Sequence, residues 1–273
     1  MPRSVNAQLA IDMYEVQRAQ RGWSAATAWQ GVARLLLSCD TWRHGWQPFH
    51  DVVVYREAND FKAGARGPNV VMRRAEALTG FLAGELGVSR ADLCNEIAAY
   101  WRHPDVSGLQ PHNLAGHAFR SLTVHILETF GDKGITYAEE VSPYDEFPGQ
   151  QFTTRSRDAK IDIVARRGKV TVALISSRWR YRHDRVDVVE EAMAYAPAAR
   201  RHNPSCRLYA SVGEFAPNRL EKVLSNCPPA QPRGALNAAV HFAPQLITAG
   251  LDENGRMIHL RSLEWLIGET FSW

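Results

Sequence analysis

Lys160-Ile161-Asp162-Ile163-Val164, followed by Val170-Thr171-Val172-Ala173-Leu174-Ile175-Ser176-Ser177-Arg178 and then by Arg182-His183-Asp184-Arg185, is the stretch whose reading decides the fold. The first two runs are short, apolar and rich in β-branched residues. Arg167-Gly168-Lys169 between them supplies a turn, so together they predict a β-hairpin. The hairpin carries Asp162 on one strand and Ser176 to Arg178 at the end of the other, which is a cradle for a divalent metal. The cluster after it sets planar guanidinium groups around a single carboxylate, a combination suited to guanine and cytosine edges in a DNA major groove.

Asp162, Ser176-Ser177-Arg178, Arg182-His183-Asp184-Arg185 and Glu191-Ala192 together resemble the type II restriction endonucleases that recognise a CCGG core, within the PD-(D/E)XK nuclease superfamily. The pattern there is an aspartate, a long gap, Ser-x-Lys, three residues, Arg-x-Asp-Arg and a helical glutamate. Here Arg178 stands where lysine is usual, and the interval from it to Glu191 is one residue short. The motif-level resemblance covers roughly residues 113 to 215, and a looser one extends over Leu251-Asp252-Glu253-Asn254-Gly255-Arg256 to Leu263-Glu264-Trp265-Leu266. It implies an α/β protein with a PD-(D/E)XK restriction-endonuclease-like core, a mixed central sheet flanked by helices. It also implies Mg2+-dependent cleavage of double-stranded DNA by a homodimer, since a palindromic target calls for two-fold symmetry.

The resemblance assigns roles residue by residue. Hydrolysing a phosphodiester needs an attacking water, neutralisation of the scissile phosphate and a proton for the leaving oxygen, and carboxylates that hold Mg2+ supply much of this. Asp162 is the first expected metal ligand and Glu191 the second, because Ser176 occupies the strand position where many members of the superfamily carry an acid. Glu190 competes with Glu191; neighbours on a helix point about 100° apart, so only one faces the metal. A further acid from an upstream helix has three candidates, Glu76, Glu96 and Glu128. Arg178 keeps its charge, which suits an electrostatic role and not proton exchange. Three readings stay open: Arg178 clamps the phosphate while metal activates the water, Lys160 or Lys169 reaches in from a neighbouring strand, or cleavage is impaired. Arg182, Asp184 and Arg185 are the expected DNA readers, with arginines donating to guanine O6 and N7 and the aspartate accepting from cytosine N4.

Outward from this stretch, Leu9, Met13, Val16 and later Ala75, Leu78, Leu82, Leu86 recur at helical intervals, so residues 1 to 110 form a mainly helical N-terminal portion. Ser89 predicts an N-cap, and Pro104 an end to the helix that follows it. Residues 111 to 273 form the nuclease-like core with a C-terminal extension. Within it, a helix capped by Asn113 runs through Phe119 and Leu127 to Gly131, and a strand covers Ile135 to Val141. After the hairpin, a helix spans Val186 to Arg201, with Val189, Met193 and Ala196 on one face, and Leu208 to Val212 is a strand. Cys227 to Gly234 is a linker or long loop, and Lys62 to Pro68 a basic surface loop. The order α-β-β-β-α-β suits a small mixed sheet flanked by helices.

Composition excludes several classes. With 273 residues and 45% hydrophobic content the chain can bury a sizeable core. A net charge of +3 is too small to diagnose nucleic-acid binding by itself, although positive residues crowd Arg155 to Arg185 and Arg200-Arg201-His202. Cys39, Cys94, Cys206 and Cys227 are scattered without a CxxC pair, which predicts buried reduced thiols and neither a zinc module nor a disulfide framework. Met1 to Asn6 shows no apolar signal core, and no later run approaches the roughly 18 apolar residues that span a bilayer, so a cytoplasmic protein is expected. The histidines form no metal-binding group and the glycine-rich segments carry no phosphate-loop lysine. Two further functions fit the same residues: a sequence-specific DNA-binding protein with impaired cleavage, and another PD-(D/E)XK DNA nuclease, such as a repair enzyme, which would not need the Arg-x-Asp-Arg reader.

Overall fold

The hairpin forms where the sequence places it. Strand β2 covers Ile161–Arg167 and β3 covers Val170–Arg178, antiparallel, with Leu174 opposite Val164 and Ile175 opposite Ile163. Gly168 in the turn has φ 62°, a left-handed conformation that a side chain disfavours, so the glycine permits the reversal. Strand β1, Ile135–Val141, adds antiparallel to β2. On the other side β4 (Arg207–Val212), β5 (Ala238–His241) and β6 (Leu260–Ser262) continue from β3 in parallel, giving a mixed six-stranded sheet in the order β1 to β6. The computed structural model describes residues 3–36, 83–107, 111–154, 159–179, 187–214, 220, 223–228, 235–245 and 260–273.

The helical elements are α1 (Val5–Arg21), α2 (Trp29–Leu36), α3 (Arg90–Trp101), α4 (Pro104–Ser107), α5 (Pro111–Phe130), α6 (Pro143–Glu146), α7 (Asp187–His202) and α8 (Leu263–Glu269). Ser89 caps α3 as expected, its Oγ accepting from the Asp92 N–H at 3.0 Å. Pro104 both follows the end of α3 and opens α4, where its missing N–H is harmless. Helix α5 begins at Pro111, two residues before the expected cap at Asn113.

Parallel strands need a crossover, and α7 provides the one between β3 and β4. Its apolar stripe is Val188, Val189, Ala192, Tyr195, Ala196 and Ala199, all buried. Met193, expected on that face, is 63% exposed, because it lies a full step round the helix from Ala192. Along β3 side chains alternate: Ser176 and Arg178 face α7, whereas Trp179, just past the strand, packs edge-on against Phe119 of α5 and stacks on Phe242. A Cβ on Gly213 would lie 2.3 Å from the Trp179 ring, so only glycine lets the chain leaving β4 pass there. The buried apolar residues form one connected cluster from Ala10 to Ile267, with α1 packed on α5. No helix among the described residues is long and apolar enough to cross a membrane.

Candidate functional site

Four of the expected residues come together at the open end of the hairpin. Asp162 is the second residue of β2 and is buried, with a relative exposure of 9%. Its Oδ2 accepts from the Ser176 hydroxyl at 3.1 Å, from the Ser177 backbone N–H at 2.9 Å and from Arg178 Nη1. Glu191, in the first turns of α7, receives Arg178 Nη2 on Oε1 at 2.6 Å and sits 3.0 Å from Ser176 Oγ through Oε2. The Arg178 guanidinium therefore bridges both carboxylates, and Nη1 also donates to the Ser177 carbonyl at 3.0 Å. Ser176 has one hydroxyl proton and two carboxylate neighbours, so it donates to one of them at a time and sets their spacing.

Between the two helix candidates, Glu191 holds the site while Glu190 is exposed. Lys169 sits in the turn at the other end of β3, roughly 30 Å from Arg178 at about 3.3 Å per residue, which removes it as a catalytic cation. Lys160 is exposed immediately before β2. Arg182, Asp184 and Arg185 lie outside the described residues, as do Glu76, Cys39 and the 62–68 loop. The proposed upstream acids Glu96 and Glu128 are engaged elsewhere. Glu96 pairs with Arg21 at 2.7 Å and with the buried Arg34, and Glu128 with Arg3 at 3.3 Å.

A second layer of charge backs Asp162, and the sequence reading missed it. Arg120 of α5 approaches Asp162 Oδ1 at 4.0 Å through Nη1, and the same nitrogen pairs with Glu140 at 3.1 Å. Its Nε donates to Glu139 at 3.2 Å, and Nη2 lies 2.9 Å from His117 Nδ1. Ser121 Oγ adds a bond to Glu139 at 2.6 Å, and Arg3 another at 3.1 Å. Adjacent acids in a strand normally point to opposite faces. Here Glu140 has φ 53° and makes no ladder pair of its own, although the register is unbroken on either side, with Glu139 opposite Ile163 and Val141 opposite Ile161. With this left-handed residue in the strand, both glutamates meet Arg120. His117-x-x-Arg120, one turn apart on α5, and Glu139-Glu140 in a strand were the signals that could have revealed the network. Burial, and next the Arg120 charge, hold the His117 imidazole below its ordinary pKa, so it sits neutral against the guanidinium.

Asp162, Ser176 and Glu191 also line a pocket whose walls include Ala192, Tyr195 and Tyr209. Burial, followed by the charges of Glu191 and Asp162, pushes the Tyr195 phenol up to about 12. Cys206 and Cys227 are buried free thiols pushed up to about 12 by burial, as inert structural cysteines are.

The donor set is chemically suited to a hard cation. Mg2+ is commonly held by one or two carboxylates and keeps several waters, and Asp162 with Glu191 offers that oxygen set in a partly enclosed pocket. Among the described residues no group of three or more His, Cys, Asp or Glu side chains is arranged around a common point, so a closed all-protein cage is not formed there. Compared with protein-family models, with curated proteins and with solved structures, the chain gives no match, and the site stands on its own geometry.

Proposed function

We propose that this chain is a Mg2+-dependent type II restriction endonuclease that hydrolyses double-stranded DNA at a palindromic site with a CCGG core. The observation that carries the reading is the convergence of Asp162 from β2, Ser176 and Arg178 from β3 and Glu191 from the following helix into one hydrogen-bonded cluster, three of whose members line a pocket. Asp162 and Glu191 would hold the cation, which when bound supplies a more acidic water and neutralises phosphate charge. Ser176 fixes the separation of the two carboxylates, and the Ser177 N–H orients Asp162. Arg178 stays protonated at any working pH, so it serves as a fixed positive charge for a phosphate and not as a proton donor. Arg120 holds the far side of Asp162 through its bonds to Glu139 and Glu140. Arg182, Asp184 and Arg185 remain the proposed readers of the CCGG core, following directly from β3 in the sequence. DNA is the partner, bound by a homodimer.

A second reading is a DNA-binding protein of the same fold with impaired cleavage. It is favoured by one observation: Arg178, in place of the usual lysine, spans both carboxylates. Incubating the protein with plasmid DNA and Mg2+ and sequencing the ends separates the two. Defined ends sharing a CCGG core support the endonuclease; intact plasmid that is nevertheless retarded by the protein supports the binding reading.

A further inference from the structure

The carboxylate pocket holds a further polar group to which the nuclease reading gives no role. Tyr195 lies four residues beyond Glu191 on α7, and residues at that spacing share a helix face. It lines the same pocket as Asp162, Ser176 and Glu191 and is 3% exposed. Its hydroxyl is buried and has no hydrogen-bond partner among the described residues. The ring is held edge-on against Phe152 at 5.6 Å, so the phenol has little freedom to swing out to solvent. A buried hydroxyl that bonds to nothing opposes folding, and such groups in native proteins commonly serve a ligand or a bound water.

Resting on the cation site proposed above, we infer that Tyr195 binds the cation indirectly, its hydroxyl donating a hydrogen bond to a water of the hydrated divalent ion held by Asp162 and Glu191. The chemistry selects that partner. A neutral phenol offers one donor, and a cation held by only two carboxylates retains waters whose lone pairs need donors around them. The apolar part of the pocket offers none, and Ser176 already directs its proton to a carboxylate. Tyr195 then acts as an outer partner of the metal, a role whose loss typically weakens metal affinity by about 10–100-fold.

The test is Mg2+ titration by calorimetry of the full chain without DNA, in wild type, Tyr195→Phe and Asp162→Ala, with the thermal midpoint of each apoprotein recorded alongside. The expected result is Mg2+ affinity about tenfold weaker in Tyr195→Phe, an unchanged or raised midpoint because the ring packing stays, and loss of binding in Asp162→Ala. A merely structural tyrosine would leave the Mg2+ affinity unchanged in Tyr195→Phe. Unchanged affinity in Tyr195→Phe alongside lost binding in Asp162→Ala overturns the role of Tyr195 while the cation site stands. Mg2+ binding that survives Asp162→Ala at full strength, or no binding to wild type, overturns the cation site and this inference with it.

Discussion

Arg178 is the residue on which the proposed chemistry turns. It is 28% exposed and answers two carboxylates that are 10% and 19% exposed, so its charge is largely withdrawn from water and worth more than a surface pair. Removing it leaves Ser176 as the link between Asp162 and Glu191 among the described residues, with two like charges in one pocket. Arg178→Ala is therefore expected to destabilise the fold by about 1–3 kcal/mol, between the surface and fully buried limits. Mg2+ should restore more of the lost stability than it adds to wild type, because the ion takes over the same neutralising task. Melting curves with and without Mg2+ check this; equal Mg2+ shifts in both proteins would show that the carboxylates do not share a cation. Arg178→Lys should keep cleavage, since one ammonium still supplies the fixed charge.

At the scale of elements, the left-handed residue in β1 and the α1–α5 joint each make a separate prediction. Glu140 is held at φ 53°, which for a residue with a Cβ costs about 1–2 kcal/mol. Glu140→Ala and Glu140→Gly both remove the bond to Arg120, so their difference isolates the backbone. The glycine variant should be more stable by about 1 kcal/mol in chemical denaturation, and no difference would mean the conformation relaxes without strain. In the joint, Glu15 of α1 bonds Arg18 at 2.6 Å and His125 of α5 at 2.7 Å. The Arg18 bond, together with His125 and against some desolvation, draws its carboxyl from 4.5 down to about 2. A depressed carboxyl pKa contributes stability that is present above pH 4.5 and lost as pH falls towards 2. Wild type and Glu15→Gln should thus differ in melting midpoint near neutrality and converge in that acid window; a gap that persists at pH 2 would assign the effect to packing instead.

For the whole molecule, the order of elements and the mixed sheet were legible because they rest on local signals: the two apolar runs, Gly168, Ser89 and the three- and four-residue recurrences. The meeting of Asp162, Ser176, Arg178 and Glu191 was legible too, through motif spacing, since strand and helix periods bring them to one face. The layer behind Asp162 was not. Arg120 reaches Glu139, Glu140 and Asp162 because Glu140 takes a left-handed backbone and α5 packs across β1, and neither fact is encoded within a single window of sequence. The choice among Glu76, Glu96 and Glu128 stayed open in the sequence for the same reason, and Glu96 pairs with Arg21 and the buried Arg34 of the N-terminal helices. At this scale the proposal also requires two copies on one palindrome. Sedimentation with a short duplex holding one CCGG core should give two chains per duplex, and a complex of one chain per duplex at saturation would remove the symmetric reading.

The account's central claim is that Asp162 and its three neighbours form a Mg2+-dependent, sequence-selective cleavage centre. The most direct measurement is single-turnover cleavage, in Mg2+ at fixed salt, of a labelled duplex with one CCGG core and of its scrambled counterpart, by wild type and Asp162→Ala. The predicted result is one cut at the core by wild type, no cut in the scrambled duplex, and no cut of either by Asp162→Ala, which still binds the CCGG duplex. Equal cleavage of both duplexes, or cleavage by Asp162→Ala at the wild-type rate, would contradict it.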